Sequence, residues 1–532
     1  MSRRHVSLAS TSTIIVVEPH TSLSDILRPH VVFSALYNAD VKDREHAVTC
    51  QPETRTKVLA DIRSWADSTT TSPMCWLSGP AGTGKTTVAR TIAEEYDKRG
   101  QLAATFFFWR NTGDRDDINK LVPTLAWQIA HKIPPAKEEM EEALKKAGVP
   151  LPELSLEHQL LTLLVCGHVD PAGPNLIVID GLDECASQDR IFRLIYWLRK
   201  NRLPFRFLLM SRPEPNIKTR FENRPGGGLI EVLSLSVTES KDDIRKYFVE
   251  ELEKIRQNSL PFLGHVPSDF PLKPYIDELV NKSEGLFVYA ATAVRYIGGK
   301  GYPQTLLEDV LKVHDGLDPL YSQVIGEAKG WKYFDIVMGA LIHLQYPLPI
   351  NKFSQVLFDV NKPLKVHDIL YALGGCHSIL IIPEDDTKAI IPYHASLRDF
   401  LADQSRSKVL FYIPAMSHAQ LMLGCLQAIT RAFNDGCHAP EYALISWHHH
   451  ACLFLSAPGT REGLRGLTDE MTELIQNINF GKWVKSWMTE ALLWVGVPYL
   501  TMKLPVQKVK ERVLCEYEDS LLVTGPQGCS KC

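Results

Sequence analysis

A glycine-rich segment at residues 79–86 has the residue types and spacing that could hold a polyphosphate. Its letters, GPAGTGKT, fit the pattern G-x-x-x-x-G-K-[ST] without departure. Glycines allow the backbone to turn its N–H groups toward an anion, and the N-terminus of a following helix adds partial positive charge. Lys85 would reach the β- and γ-phosphates, and the Thr86 hydroxyl would ligate Mg²⁺. The predicted nucleotide-binding residues of this loop, here called the P-loop, are Gly79, Pro80, Ala81, Gly82, Thr83, Gly84, Lys85, Thr86 and Thr87.

A second block, LIVIDGLDE at residues 176–184, would bring carboxylates to the same place. Four apolar residues that end in Asp180 predict a buried strand, and open α/β sheets bind their ligands at the carboxyl ends of the strands. Asp180 would hold Mg²⁺ through water. Asp183 and Glu184 would orient or deprotonate an attacking water. The alternative is that Asp180 is an ordinary turn residue, which the nearby P-loop makes the weaker interpretation.

A third segment, FLLMSRP at residues 207–213, is a strand pattern that ends in Arg212. An arginine at the end of that strand would place a cation near the γ-phosphate and would report which nucleotide is bound. The alternative is a solvated arginine at a strand end, and the residues alone leave both open.

These residues need a scaffold, and the surrounding pattern predicts one. Short, fully apolar runs alternate with helical patterns between residues 49 and 237, which indicates a parallel sheet with helices on both faces. The predicted strands are residues 75–78, 103–109, 176–180, 207–211 and 229–235.

The rest of the chain is predicted to be mostly helical. We expect a helical domain at 238–328, then a winged-helix domain at 329–405, where three helical patterns precede two apolar runs around a Pro-Glu-Asp-Asp turn. Residues 406–532 are expected to form a C-terminal helical region with a frayed tail. Residues 1–48 carry little pattern and predict a weakly structured arm.

Composition excludes several classes of protein. The 532 residues are 45% apolar and 23% charged, with a net charge of −4, which is typical of a globular chain and not of a disordered, collagen-like or coiled-coil one. The charge balance offers no clear nucleic-acid site. No apolar run reaches the 18 residues of a membrane span. The 11 scattered cysteines indicate a reducing compartment, so we expect a cytoplasmic protein.

The three motifs in this order resemble the Walker A, Walker B and following strand of the NACHT class of STAND P-loop NTPases. The chain looks most like the fungal, nephrocystin-3-like members of that NLR-like group. Other segments that resemble the family are 50–55 with Trp65, 106–110 with 114–115, 285–291, 317–321 and 394–401. Together they cover about residues 48–405.

The resemblance implies an α/β P-loop NTPase domain followed by a helical domain, a winged helix and a C-terminal helical region. It implies a nucleotide switch in signal transduction, which hydrolyses ATP slowly with Mg²⁺. Members hold ADP in a closed monomer, and ATP opens the winged helix and permits self-association; fungal relatives act in non-self recognition and cell death. Protein partners are expected but not identified. GTP remains an alternative, although the chain has no guanine motif of the N/T-K-x-D kind after the Walker B strand.

Two residues acquire a role only through the resemblance. His394 matches a winged-helix histidine that contacts the β-phosphate of bound ADP, although the family motif has Phe where this chain has Leu397. A histidine that caps a helix or packs in a core is the alternative. Arg55 lies in an upstream segment that related ATPases place over the adenine base.

Other interpretations stay open from the residues alone. The chain could be a non-catalytic interaction module that holds a nucleotide as a structural cofactor. An AAA-type motor would need a second arginine finger and pore loops, which we do not identify. His448–His450 with Cys452 favour a partly buried helix face over a metal site, and Cys529 with Cys532 favour a frayed tail. The sequence pattern shows neither an effector domain nor the sensing repeats that receptors of this family often carry. A truncated member of the family and an adaptor therefore stay open as alternatives.

Overall fold

A parallel sheet of five strands, in the order β2-β3-β4-β1-β5, organises the N-terminal half of the protein. The strands are β1 (Met74–Ser78), β2 (Leu102–Phe107), β3 (Leu176–Asp180), β4 (Arg206–Ser211) and β5 (Ile230–Ser234). The computed structural model describes residues 22–39, 49–68, 71–110, 112–165, 173, 175–201, 203–222, 230–237, 240–263, 270–271, 273–299, 301–359, 362–412 and 414–455. The five parallel strands and the helices around them confirm the predicted α/β fold.

Strands β1 to β4 are buried on both faces, which explains why they read as continuous apolar runs, whereas the edge strand β5 is mostly exposed. Along β1, Met74 and Trp76 enter one hydrophobic cluster, whereas Cys75 and Leu77 enter another on the opposite face. The helices of this half are α2 (Thr56–Asp67), α3 (Lys85–Lys98), α4 (Leu121–Lys132), α5 (Pro134–Ala147), α6 (Leu156–Leu164), α7 (Gln188–Lys200) and α8 (Pro215–Glu222).

Strand register brings the three predicted motifs to one edge of the sheet. Ser78 at the end of β1 pairs with Ser211 at the end of β4, and Asp180 at the end of β3 pairs with Phe107 of β2. Strand β4 lies between β3 and β1. Arg212, which follows β4, therefore emerges between Asp180 and the P-loop.

Part of the N-terminal arm differs from our expectation of weak structure. Residues 22–39 form a short helix, α1 (Leu23–Leu27), and two single-turn helices. Ser22 and Asp25 make a capping box at the start of α1, and Leu23 and Leu27 are buried in the core of the sheet half. The expectation is therefore corrected for residues 22–39. The cause is packing against α4 and α5, which local pattern does not reveal. Residues 1–21 and 40–48 lie outside the described residues.

The second half of the described chain is built of helices. They begin with α9 (Lys241–Leu263), α10 (Lys273–Lys282), α11 (Phe287–Ile297), α12 (Pro303–Lys312) and α13 (Leu317–Ala328). One hydrophobic cluster runs through this region from Ile244 to Phe454. Because the cluster crosses residues 328 and 405, the predicted domain limits at those positions stay predictions.

Residues 329–405 follow the predicted order of three helices and a hairpin, with shorter elements. The elements are α14 (Phe334–His343), α15 (Ile350–Phe353), α16 (Val366–Ala372), the antiparallel pair β8 (Leu380–Ile381) and β9 (Ile391–Pro392), and α17 (Ser396–Leu401). A second antiparallel pair, β6 (Phe358–Asp359) and β7 (Lys362–Pro363), was not predicted. The identification of this region as a winged helix stays a prediction.

The described chain ends with α18 (Gln404–Ser407), α19 (Pro414–Asn434) and α20 (Glu441–Leu455). No single helix among the described residues is long and apolar enough to cross a membrane; the bent pair at 404–410 and 414–432 passes that test by length and composition only. The predicted C-terminal tail, with Cys529 and Cys532, lies outside the described residues.

Candidate functional site

The P-loop joins β1 to α3 and takes the backbone conformation that its glycines allow. Gly82 and Gly84 have φ values of 76° and 91°, in the left-handed region. Lys85 is the first residue of α3, and its Nζ donates hydrogen bonds of 2.8 Å to the carbonyls of Gly79 and Pro80. A Cβ built at Gly84 would meet nothing within 4 Å, so the loop is open on that side. This is the cradle that a polyphosphate requires.

Thr86 and Asp180 come together across the edge of the sheet. The Thr86 hydroxyl donates a 2.6 Å hydrogen bond to Oδ2 of Asp180. Burial raises the pKa of the Asp180 carboxyl, and the hydrogen bond from Thr86 opposes that rise. A hydroxyl and a carboxylate are the hard oxygen ligands that Mg²⁺ prefers, so this pair fits that ion.

Asp183 contacts Arg212, the residue that follows β4. Its Oδ1 accepts a 2.9 Å hydrogen bond from the backbone N–H of Arg212, and its Oδ2 lies 3.2 Å from Nε of the same arginine. The contacts of Asp183 therefore support a role in holding Arg212 in place. The predicted role of Asp183 and Glu184 in orienting an attacking water stays a prediction.

Glu184 is partly buried next to another carboxylate. Burial, and after it the charge of Asp183, raises the pKa of Glu184 to about 7. Its Oε2 accepts a 3.1 Å hydrogen bond from the backbone N–H of Arg110, whose guanidinium donates a 2.8 Å bond to the carbonyl of Asp183. A carboxylate with a pKa near neutrality is suited to general base catalysis. Sequence reasoning missed this contact of Arg110, although residues 106–110 are among the segments that resemble the family.

Arg212 reaches out of the sheet half and into the helical region. Its Nη1 lies 3.0 Å from Oδ2 of Asp399 on α17. Asp399 was not among our predicted site residues. Its signal was present in the H-A-S-L-R-D-F-L segment, from which we singled out only His394.

His394 lies between β9 and α17, close to the charges of the P-loop edge. Its Nδ1 accepts a 3.1 Å hydrogen bond from the N–H of Ser396, and the Ser396 hydroxyl is 2.7 Å from the same nitrogen. Because Nδ1 is an acceptor, the proton of the neutral ring resides on Nε2. Tyr321 of α13 extends this chain, with its hydroxyl 2.9 Å from that of Ser396.

Burial, and after it the positive charges of Arg212 and Lys85, lowers the pKa of His394 to about 4. The ring is therefore neutral at physiological pH. Burial is the largest cause of the lowered pKa of Lys85. The charge of Arg212 also lowers this pKa, whereas the charges of Asp183, Asp180 and Glu184 raise it. These mutual effects place the predicted P-loop lysine, the three acidic residues, Arg212 and His394 around one site.

The helical region also contacts the P-loop directly. The N–H of Val288, in the first turn of α11, donates a 3.1 Å hydrogen bond to the carbonyl of Gly82. Arg55 donates a 2.6 Å bond from Nη2 to the carbonyl of Thr83, and its guanidinium carbon lies 4.8 Å from the centre of the Phe287 ring. Arg55 thus joins the P-loop to α11. The position of this segment over an adenine base, which the resemblance implies, stays a prediction.

The histidines at 448–450 lie away from this edge, on α20. His450 is fully buried; its Nδ1 is 2.9 Å from Nδ1 of His418, and its Nε2 is 2.7 Å from the Tyr442 hydroxyl. His343 and His449 face His418 with ring centroids at 5.1 and 6.4 Å. Within the described residues, no group of three or more His, Cys, Asp or Glu side chains has the arrangement of a metal site.

Comparison with known proteins gives one family match. The model of the family described as Nephrocystin 3, N-terminal, matches residues 53–212, which contain the P-loop, the Asp180–Glu184 block and Arg212. This match confirms the nephrocystin-3 part of the resemblance over those residues. A search of curated proteins found no match.

Three solved structures are similar to this chain at low scores. A structure of Drosophila ORC bound to DNA has a TM-score of 0.28 and 13% identity, and covers 60% of this chain and 79% of its own. The replication initiator DnaA bound to AMPPCP and single-stranded DNA has a TM-score of 0.27 and 13% identity, with coverages of 82% and 96%. Drosophila ORC bound to AT-rich DNA and Cdc6 has a TM-score of 0.26 and 11% identity, with coverages of 98% and 74%.

Proposed function

We propose that this chain is a nucleotide-binding switch of the NACHT class of STAND NTPases. It binds ATP or ADP with Mg²⁺, hydrolyses ATP slowly, and couples the nucleotide to a change of conformation and to self-association in signalling. The single observation that carries the proposal is that the P-loop edge of the sheet and residues 394–399 of the helical region meet at one site. A nucleotide bound there contacts both halves of the protein.

Each residue has a role that follows from its position. The P-loop backbone and Lys85 bind the phosphates, and Thr86 with Asp180 holds Mg²⁺, which when bound supplies positive charge to the phosphate oxygens. Glu184 accepts the proton of the attacking water. The guanidinium of Arg212 binds the γ-phosphate, and the Nε2–H of His394 donates a hydrogen bond to the β-phosphate.

The contacts between the two halves favour a switch over a simple hydrolase. A ligand shifts a conformational equilibrium only by its difference in affinity for the two states. Here the helical region contributes Val288 at the P-loop, His394 at the phosphates and Asp399 at Arg212. Any change at the terminal phosphate therefore acts on contacts that join the two halves.

The first test identifies the nucleotide that the purified protein carries. The protein is denatured without prior dialysis, and the released nucleotide is separated by ion exchange. We expect near-stoichiometric ADP from the wild type and none from Lys85→Ala, in which affinity falls about 100-fold because a charged hydrogen-bond donor is lost. Lys98→Ala is the matched control, since Lys98 is an exposed lysine near the end of the same helix, paired only with Glu94 in the contacts seen. Equal nucleotide content or equal ATP affinity in all three proteins would contradict the proposal.

The second test separates a slow hydrolase from a protein that holds nucleotide only for structure. Phosphate release is followed over many turnovers for the wild type and Glu184→Gln. Slow turnover that is lost in Glu184→Gln, with ATP affinity retained, supports the switch. Absence of turnover in the wild type favours the structural holder. Sedimentation velocity with ATP and with ADP then tests self-association, which we expect with ATP alone.

A further inference from the structure

Arg212 is held by two carboxylates that belong to different parts of the protein. Asp183 follows β3, two residues after Gly181 in the same sheet edge, and its side chain is 3% exposed. Asp399 lies on α17, 187 residues beyond Arg212 in the chain, and its side chain is 28% exposed. The first partner is therefore a fixed part of the sheet half, whereas the second is supplied by the helical region.

The two partners use different parts of the guanidinium. Asp183 accepts a hydrogen bond from the backbone N–H of Arg212 and lies beside its Nε, while Asp399 accepts a hydrogen bond from its Nη1. A guanidinium presents its donors in a planar fork that matches both carboxylate and phosphate oxygens. Nη1, which Asp399 occupies, is one of the outer donors that a terminal phosphate would need.

We propose that Asp399 is a specificity-determining residue that discriminates diphosphate from triphosphate by competing with the γ-phosphate for Arg212. With a diphosphate bound, Asp399 keeps Arg212 and ties α17 to the sheet. With a triphosphate bound, the γ-phosphate takes the guanidinium, and Asp399 is left facing a second negative group. This inference rests on the proposed function, because it assumes that a nucleotide occupies the P-loop.

The position of Asp399 gives this competition a structural consequence. Asp399 lies five residues after His394 in the same short segment. Asp399 contacts Nη1 of Arg212, and the charge of Arg212 lowers the pKa of His394. Ser396, between them, is bonded to Tyr321 of α13. Displacing Asp399 therefore acts on the segment that carries the β-phosphate ligand and on its attachment to the rest of the helical region.

The test is a double-mutant cycle read as a ratio of affinities. Calorimetry gives the dissociation constants of ADP and of the non-hydrolysable analogue AMPPNP, each with Mg²⁺, for the wild type, Asp399→Asn, Arg212→Ala and the double variant. We expect Asp399→Asn to increase the preference for AMPPNP over ADP by about fivefold or more, as for a typical coupling between sites. In the Arg212→Ala background the same substitution should change the ratio less than about twofold, because the group that the two anions share is gone.

Asp403→Asn is the matched control, because it removes a carboxylate four residues further on that bonds Ser405 and does not contact Arg212 among the described contacts. A second readout does not depend on affinity. Hydrogen exchange of residues 396–401 should be faster in Asp399→Asn with ADP than in the wild type with ADP, and close to that of the wild type with AMPPNP.

The outcomes separate this inference from the proposed function. If the wild type binds both nucleotides and Lys85→Ala binds neither, but the ratio is unchanged in Asp399→Asn, the inference is overturned and the proposed function stands. An equal increase of the ratio with and without Arg212 also overturns it, because competition for Arg212 is then not the cause. If the wild type binds neither nucleotide, the proposed function fails and the inference fails with it.

Discussion

The P-loop side of the site and the Arg212 side are held in place by different kinds of contact. On the P-loop side, one strand, one loop and one helix that are contiguous in sequence set the geometry, mainly through backbone conformation. On the Arg212 side, the geometry depends on side chains from α17 and α13 that meet Arg212 and His394 from far along the chain.

For the proposed switch, this difference gives a physical basis for binding a nucleotide on one side of the site and sensing its terminal phosphate on the other. Backbone geometry within a buried strand–loop–helix unit persists for as long as the sheet is folded. Polar side-chain contacts that are partly exposed are individually weak, so a ligand with a modest binding free energy can replace them. A stable binder beside a set of exchangeable contacts is the arrangement that a nucleotide switch requires.

Lowering the pH should reduce the stability of the helical region, and this is the largest of the expected effects. Burial, and after it the neighbouring histidines, lowers the pKa of His418 to about 4 and that of His450 to about 3. Both folded-state values lie below the unfolded value of 6.5, so the folded state binds fewer protons and stability is lost as the pH falls from 6.5 toward 4. The helical region should lose about 3 kcal/mol between neutral pH and about pH 5.

Urea unfolding at a series of pH values measures this loss. His418→Gln should flatten the dependence on pH, while His158→Gln, at an exposed position of the sheet half, should leave it unchanged. A wild-type stability that is flat between about pH 6.5 and 5 would refute the role of these histidines.

Gly82→Ala tests whether the helical region constrains the P-loop, with the next largest effect. Gly82 has φ +76°, and a Cβ there would lie 2.3 Å from Cγ1 of Val288. We expect a loss of about 2–4 kcal/mol in the free energy of unfolding, from backbone strain and from overpacking. Gly84→Ala has φ +91° but open space around the new Cβ, so strain alone should cost about 1–2 kcal/mol.

Thermal or urea unfolding of both variants decides this point, and Val288→Ala in the Gly82→Ala background should recover part of the loss. Equal destabilisation by the two glycine substitutions would mean that α11 does not restrict the loop. The comparison between a self-contained P-loop side and a dependent Arg212 side would then be sharper.

Arg55→Lys has the smallest expected effect. Lysine keeps the charge but lacks the planar fork, so it loses the geometry of the bond to the Thr83 carbonyl and the stacking on Phe287. We expect about a threefold to fivefold weaker affinity for ADP, equivalent to about 1 kcal/mol. The control is Arg63→Lys on α2, the helix that begins directly after Arg55. There the surface pair with Glu95 contributes about 0–1 kcal/mol to folding and does not touch the site. An unchanged ADP affinity in Arg55→Lys would show that the loop keeps its shape without this contact.

Several features of the sheet half could be predicted because they are local. The P-loop pattern, the apolar strand before Asp180 and the strand before Arg212 are each read within about ten residues, and the parallel topology then brings their ends together. The packing of residues 22–39 could not be predicted in this way, because a short capped helix gains its stability from α4 and α5.

The contacts that link the two halves were missed for the same reason. Asp399, Ser396 and Tyr321 lie in segments that resemble the family, but no local pattern of residues shows which partners they contact. Their roles depend on partners 75 or more residues away in the chain. The resemblance directed attention to His394, but the partners of that histidine came only from the structure.

The sequence by itself determined the glycine-rich P-loop, the acidic block at 180–184 and the α/β sheet that presents them, because glycine spacing and buried apolar strands are local consequences of residue type. Only the tertiary structure decided that Arg55 contacts both the P-loop and α11, and that Asp399 pairs with Arg212. Those contacts arise where the helical core of residues 244–454 docks on the sheet edge. Docking of two cores depends on the whole packed surface, which no short pattern of residues encodes.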